Sequence, residues 1–232
     1  MVGKVWPDDI LWKTFSGEKS DRMKLEAVIF DLDQTLVDST KIHVDSYIIP
    51  LSKRRLYPSP EDIASSFGAF DYIIFRKFSP KSSEEEIREM VKERKQVLME
   101  EVGQTRKMSY SDELLQFLKG KIKIALATGT FGEITYKTLE MFDWKKYFDV
   151  IVVGEEVKKS RPDPEILNIT LKKLKTDASK AVYVGDSIHD VQCAKNASVR
   201  VIVLRDSKEA DFTAKNLLEV KNILESLINK NY

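Results

Sequence analysis

The sequence predicts an α/β protein: a doubly wound parallel sheet with a small α-helical insert after its first strand. Three observations predict it. Five runs (27–31, 122–128, 148–154, 181–186 and 199–204) are hydrophobic almost without interruption, as strands covered on both faces must be. Segments of helical period separate the later runs, and strand–helix alternation calls for parallel strands joined by right-handed crossovers. Between 38 and 108 the alternation stops, and no strand pattern is convincing there.

Taken in order, residues 1–24 hold Trp6, Trp12 and Phe15 and read as a peripheral extension. The first strand lies in Ala27-Val28-Ile29-Phe30-Asp31-Leu32-Asp33-Gln34-Thr35-Leu36. Asp31 and Asp33, spaced i, i+2, point to the same side of the strand end. That places them at the carboxyl edge of the sheet, where open α/β folds keep their ligands. Two acids so close repel unless a cation or a shared proton intervenes, so the pair implies a metal site or an acid–nucleophile pair.

In the insert, 84–102 is a helix with Ile87, Val91 and Leu98 set among charges, and 41–51 is a second helix. Pro58, Pro60, Gly68 and Pro80 punctuate the remainder, and Lys53-Arg54-Arg55 reads as a solvated charge run. Ser111-Asp112-Glu113 opens the next helix, whose apolar positions are Leu114, Leu115 and Leu118. The second strand ends in Thr128-Gly129, and a helix spans 132–142. Arg161 puts a fixed charge before Pro162-Asp163-Pro164, and Pro164 opens a helix with Leu167, Leu171 and Leu174 on its apolar face. The fourth strand ends in Gly185-Asp186, with Asp190 four residues further on, and helices over 190–197 and 215–229 complete the chain. The core is thus 25–37 with 109–232, and the insert is 38–108.

Composition narrows the function classes. A chain of 232 residues holds one sizeable core and a smaller accessory domain. Its 38 basic and 37 acidic residues nearly cancel, which argues against general nucleic-acid binding. No run is long enough to cross a bilayer, and the start lacks a secretory layout, so a cytoplasmic location is expected. Cys193, the single cysteine, excludes an intrachain disulfide and is expected to be a small buried residue. His43 and His189 are expected at the surface.

As a set, Asp31-x-Asp33, Thr128-Gly129, Arg161-Pro-x-Pro and Gly185-Asp186-x-x-x-Asp190 closely resemble the four motifs of the haloacid dehalogenase superfamily, most of whose members are phosphatases. The resemblance covers about 25 to 205, the insert matching in length and character rather than in sequence. It implies a Rossmann-like core of spatial strand order 5-4-1-2-3 and makes the insert a helical cap of the phosphoglycolate phosphatase kind. It further implies Asp31 as nucleophile, Asp33 as general acid and base, and Mg2+ as cofactor. The ion would be held by Asp31, the backbone carbonyl of Asp33, Asp186 and Asp190. Thr128 and the Gly129 N–H would bind a phosphoryl oxygen.

Two positions depart from the family pattern. Arg161 stands where lysine is usual, with Lys158 and Lys159 as neighbouring candidates, and Gln34 stands where glycine usually follows the second aspartate. The activity implied is hydrolysis of a small phosphorylated metabolite through an aspartyl-phosphate, with no nucleic-acid or membrane partner. The alternatives are a phosphomutase acting on a sugar phosphate, a phosphonoacetaldehyde hydrolase-like enzyme, and a non-catalytic binding protein on the same fold.

Overall fold

The computed structural model describes residues 24–229. Trp6, Trp12 and Phe15 of the N-terminal extension lie outside the described residues. In chain order the elements are β1 (Ala27–Phe30), β2 (Val37–Asp38), α1 (Thr40–Lys53), α2 (Pro60–Ala64), α3 (Asp71–Phe78), α4 (Glu84–Glu101), β3 (Arg106–Lys107), α5 (Ser111–Leu118), β4 (Lys123–Ala127) and α6 (Gly132–Met141). They continue as β5 (Val150–Val152), α7 (Glu165–Leu174), β6 (Ala181–Gly185), α8 (Ile188–Asn196), β7 (Arg200–Val203), β8 (Phe212–Thr213) and α9 (Leu217–Asn229).

The main sheet is parallel, in the order β5-β4-β1-β6-β7-β8. Its first five members follow the expected order, and the short strand β8 extends the sheet past β7. Burial on both faces explains the unbroken apolar runs. Val28 and Phe30 face Leu114, Leu118 and Leu224 of α5 and α9, while Ala27 and Ile29 face Leu167 and Val191 of α7 and α8. Register then builds the site. Phe30 of β1 lies level with Leu126 of β4 and Val184 of β6, and the Asp31 N–H donates to the Val184 carbonyl at 2.9 Å. The residues that follow these three strands therefore emerge together at one edge.

The four helices between β2 and β3 pack around apolar residues of their own, among them Tyr47, Ile63, Phe75 and Met90. A capping box at Ser83 and Glu86 starts α4. Below them, Ile42, Leu98 and Val102 pack on Ile134 of α6. The chain enters and leaves this region through the antiparallel pair β2–β3, which sequence period did not reveal. No helix among the described residues is long and apolar enough to cross a membrane.

Candidate active site

Asp31 sits directly beyond β1 and is 2% exposed. Ligand oxygens of Asp31, Asp186 and Asp190 lie within 4.8 Å of one another. The donor set is all carboxylate oxygen, which suits a hard divalent cation. The buried Asp31 Oδ1 also has no hydrogen-bond partner among the described residues. The three side chains therefore fit a magnesium ion. The Asp33 carboxylate is not part of this cluster.

Burial raises the Asp31 carboxyl well above the usual range, against the pull of Arg161. Burial, then the Asp190 charge, pushes Asp186 up to about 7. Asp190 goes the other way. Its burial is outweighed by the Arg161 guanidinium and by donors from Ser187 and Tyr183, so it is held low. One oxygen of Asp190 accepts the Ser187 N–H at 3.0 Å and the Ser187 hydroxyl at 2.6 Å, inside the capping box that starts α8. Its other oxygen accepts the Tyr183 hydroxyl at 2.8 Å and touches Arg161. Capping and ligand geometry thus coexist in one side chain.

Arg161 is the cation of the site. Its Nη1 lies 3.1 Å from Asp31 Oδ1 and donates to the Tyr183 hydroxyl at 3.0 Å. Lys159 instead pairs with Asp163 at 3.4 Å and is exposed. The backbone N–H groups of Lys158 and Lys159 are tied to Glu165. Tyr183, in the middle of an apolar strand, carried no sequence signal beyond its hydroxyl.

Asp33 is gripped from both sides. One oxygen accepts the Ser39 hydroxyl at 2.6 Å and faces His43 Nε2 at 3.1 Å, and the other accepts the Thr130 hydroxyl at 2.6 Å. Burial alone would raise this carboxyl, but His43 and the hydroxyl donors hold it well below the usual range. On the far side of the ring, Arg94 Nη2 lies 3.1 Å from His43 Nδ1. A guanidinium only donates, so Nδ1 accepts and Nε2 carries the proton given to Asp33. The expectation of a surface His43 is therefore corrected. It is 6% exposed, because it lies one turn beyond Ser39 on the face of α1 turned toward Asp33. His189 is likewise half-buried rather than exposed. It packs so closely on Gly68 of the insert that a Cβ there would lie 2.9 Å from its ring.

Thr128 is buried at the end of β4, where its hydroxyl oxygen accepts the Thr130 N–H at 3.1 Å. Gly129 and Thr130, rather than Thr128, line the cavity above Asp31. Gly154 must stay a glycine, since a Cβ there would meet the Gly129 carbonyl oxygen at 2.3 Å. Gln34 adopts a left-handed φ of 56° and donates to Ser39 at 3.2 Å, so the turn after Asp33 forms without a glycine. Cys193 is buried with its thiol pushed up to about 12 by burial, which makes it inert packing. Lys53 and Arg54 pair with Glu93 and stay outside the cavity.

A family model described as haloacid dehalogenase-like hydrolase matches residues 28–204. A phosphorylated carbohydrates phosphatase of Thermotoga maritima is 33% identical over 184 residues, covering 77% of this chain and 84% of that protein. A phosphoglycolate phosphatase of Aquifex aeolicus is 26% identical over 88% of this chain and 99% of its own. The crystal structure of β-phosphoglucomutase from Clostridium difficile superposes with a TM-score of 0.79 at 21% identity, over 89% of this chain and 98% of that one, a likeness of fold.

Proposed function

Because the chain belongs to the haloacid dehalogenase-like hydrolases, we propose that it is a magnesium-dependent phosphatase acting on a small phosphorylated metabolite through a phosphoryl group carried on Asp31. The observation that carries this reading is the buried Asp31 Oδ1, free of hydrogen bonds and ion-paired to Arg161 in the wall of the cavity.

In the first step an Asp31 oxygen attacks phosphorus and the bond to the ester oxygen breaks, with Asp33, ionised in the free enzyme, relaying to that oxygen the proton of the phosphomonoester monoanion. In the second, Asp33 takes a proton from water, the water oxygen attacks phosphorus, and the bond to Asp31 breaks to release inorganic phosphate. Arg161 offsets the charge of nucleophile and phosphoryl group, and Gly129 supplies its backbone N–H just beyond β4. Asp31, Asp186 and Asp190, with the Asp33 carbonyl, would hold the magnesium ion, which when bound neutralises phosphoryl charge. Residues 38–108 act as the cap that shields the reaction from bulk water.

The test is acid-quenched enzyme after brief mixing with acetyl phosphate and magnesium, examined by mass spectrometry. A phosphoryl adduct is expected on the wild type, with none on Asp31→Asn, which also loses turnover. Full turnover by Asp31→Asn would defeat the reading. Positional isomers of a sugar phosphate forming without phosphate release would move it to a mutase.

A further inference from the structure

The far wall of the cavity differs in chemistry from the carboxylate floor. The cavity encloses about 890 Å3, at the roomy end of small-molecule sites and far more than a phosphoryl group fills. On the insert side, Phe67, Phe70 and Tyr72 bring rings to it, and Ile87 and Val91 add aliphatic surface from α4. Phe70 and Tyr72 stand with centroids 5.8 Å apart, and the Tyr72 side of the pair is 56% exposed. Phe67 and Phe70 are half-buried and Tyr72 is exposed, and rings that line a cavity are a ready surface for another flat apolar group.

Several of the hydrogen-bonding groups that line the cavity are already engaged, although His189 Nδ1 is not. Asp71 accepts the Tyr47 hydroxyl at 2.6 Å and lies 3.4 Å from Arg94. Glu84 is held by Arg76, and Glu155 accepts the Gly132 N–H at 2.8 Å. Gln34 donates its amide to Ser39 at 3.2 Å. Positive charge also stays open. Arg88 and Lys92 line the same wall four residues apart on α4, and neither is in an ion pair among the described residues.

We propose that the substrate is a phosphomonoester whose organic part is a flat apolar ring bearing a second anionic group. The ring lies against Phe67, Phe70 and Tyr72, and the anion is met by Arg88 and Lys92. This inference rests on the phosphatase reading above, and the control below separates the two.

The experiment compares benzyl phosphate, 4-carboxybenzyl phosphate and glucose 6-phosphate by phosphate release with magnesium. All three leave as primary alkoxides, so the bond broken is alike and differences report recognition. Acetyl phosphate, which offers the far wall nothing to read, is the control for the chemistry. The expected order of kcat/KM is 4-carboxybenzyl, then benzyl, then glucose 6-phosphate, with the carboxylate contributing about tenfold or more, as a charge-assisted hydrogen bond does. In the double variant Arg88→Ala/Lys92→Ala the ratio of the first two substrates should fall to about one. Glucose 6-phosphate matching benzyl phosphate would overturn the ring, and a carboxylate preference that survives the double variant would overturn the anion site. Hydrolysis of acetyl phosphate alongside either result leaves the phosphatase standing, whereas no hydrolysis of anything removes both.

Discussion

Arg161 shows how much one side chain carries at the residue scale. Its Nη1 faces Asp31, Asp190 and the Tyr183 hydroxyl at once, and the two carboxylates outweigh its burial, so it stays charged. Removing a charge aimed at the transferring group costs on the order of a hundredfold in kcat, so Arg161→Ala should lose that much while Lys159→Ala should lose little. Tyr183→Phe removes only a positioning partner. It should lower kcat several-fold and leave KM near its starting value, because the guanidinium keeps both carboxylates but loses its orientation. Steady-state kinetics on acetyl phosphate read all three variants, and equal losses at Lys159 would move the role there. The aspartates were legible in the sequence because their spacing after apolar strands, weak at any one place, is a strong signal when it recurs in order with Thr128 and Arg161. His43 was not, since a lone histidine near a helix start has no pattern that tells a gripped ring from an exposed one. Only the fold brings Arg94, fifty-one positions later, to its other nitrogen.

That pairing belongs to helices α1 and α4, and at the scale of elements it is what ties the insert to Asp33. Arg94 is 5% exposed, stacks 4.3 Å over the Tyr47 ring, and spans Asp71 and His43. Arg94→Met keeps most of the apolar stem but leaves Asp71 and His43 Nδ1 without their donor. Breaking a buried charge pair from one side costs about 3 kcal/mol, and a somewhat smaller loss is expected here because Asp71 keeps Tyr47. Urea unfolding measures it. A loss under half a kcal/mol would show that Asp71 is satisfied without Arg94, about what an exposed pair contributes. The long helices and the buried strands were readable because period and apolar runs accumulate over many residues. The strands β2, β3 and β8 have two residues each, too few to show any period, and they exist because neighbours supply the hydrogen bonds. Strand β5 is shorter than the apolar run 148–154 for a related reason: its pairing to β4 spans only Val150–Val152.

For the whole molecule, the clustered carboxylates tie stability to pH and, under the proposed function, to magnesium. Asp186 titrates near 3.8 when unfolded, and burial with the Asp190 charge pushes it up to about 7 in the folded protein. Between those values the folded chain holds a proton that the unfolded chain has released. That contribution is complete below the unfolded value and is lost as pH rises to about 7. Asp33 works in the opposite sense, since its carboxyl is held below 3.8 in the folded protein. Its contribution is present above that value and is lost only on further acidification, so the two windows do not overlap. Without magnesium, the melting temperature should therefore fall between about pH 5 and about pH 7, while Asp186→Asn should lessen that fall without abolishing it, since the raised Asp31 carboxyl acts in the same sense. Magnesium binds the ionised carboxylates, so adding it should restore stability most at the higher pH, where no proton has to leave first. Thermal melts of wild type and Asp186→Asn, each with chelator and with magnesium, measure all of this. An unchanged slope in the chelated variant would take the effect away from Asp186, and a magnesium shift of equal size in wild type and variant would take the ion away from it as well.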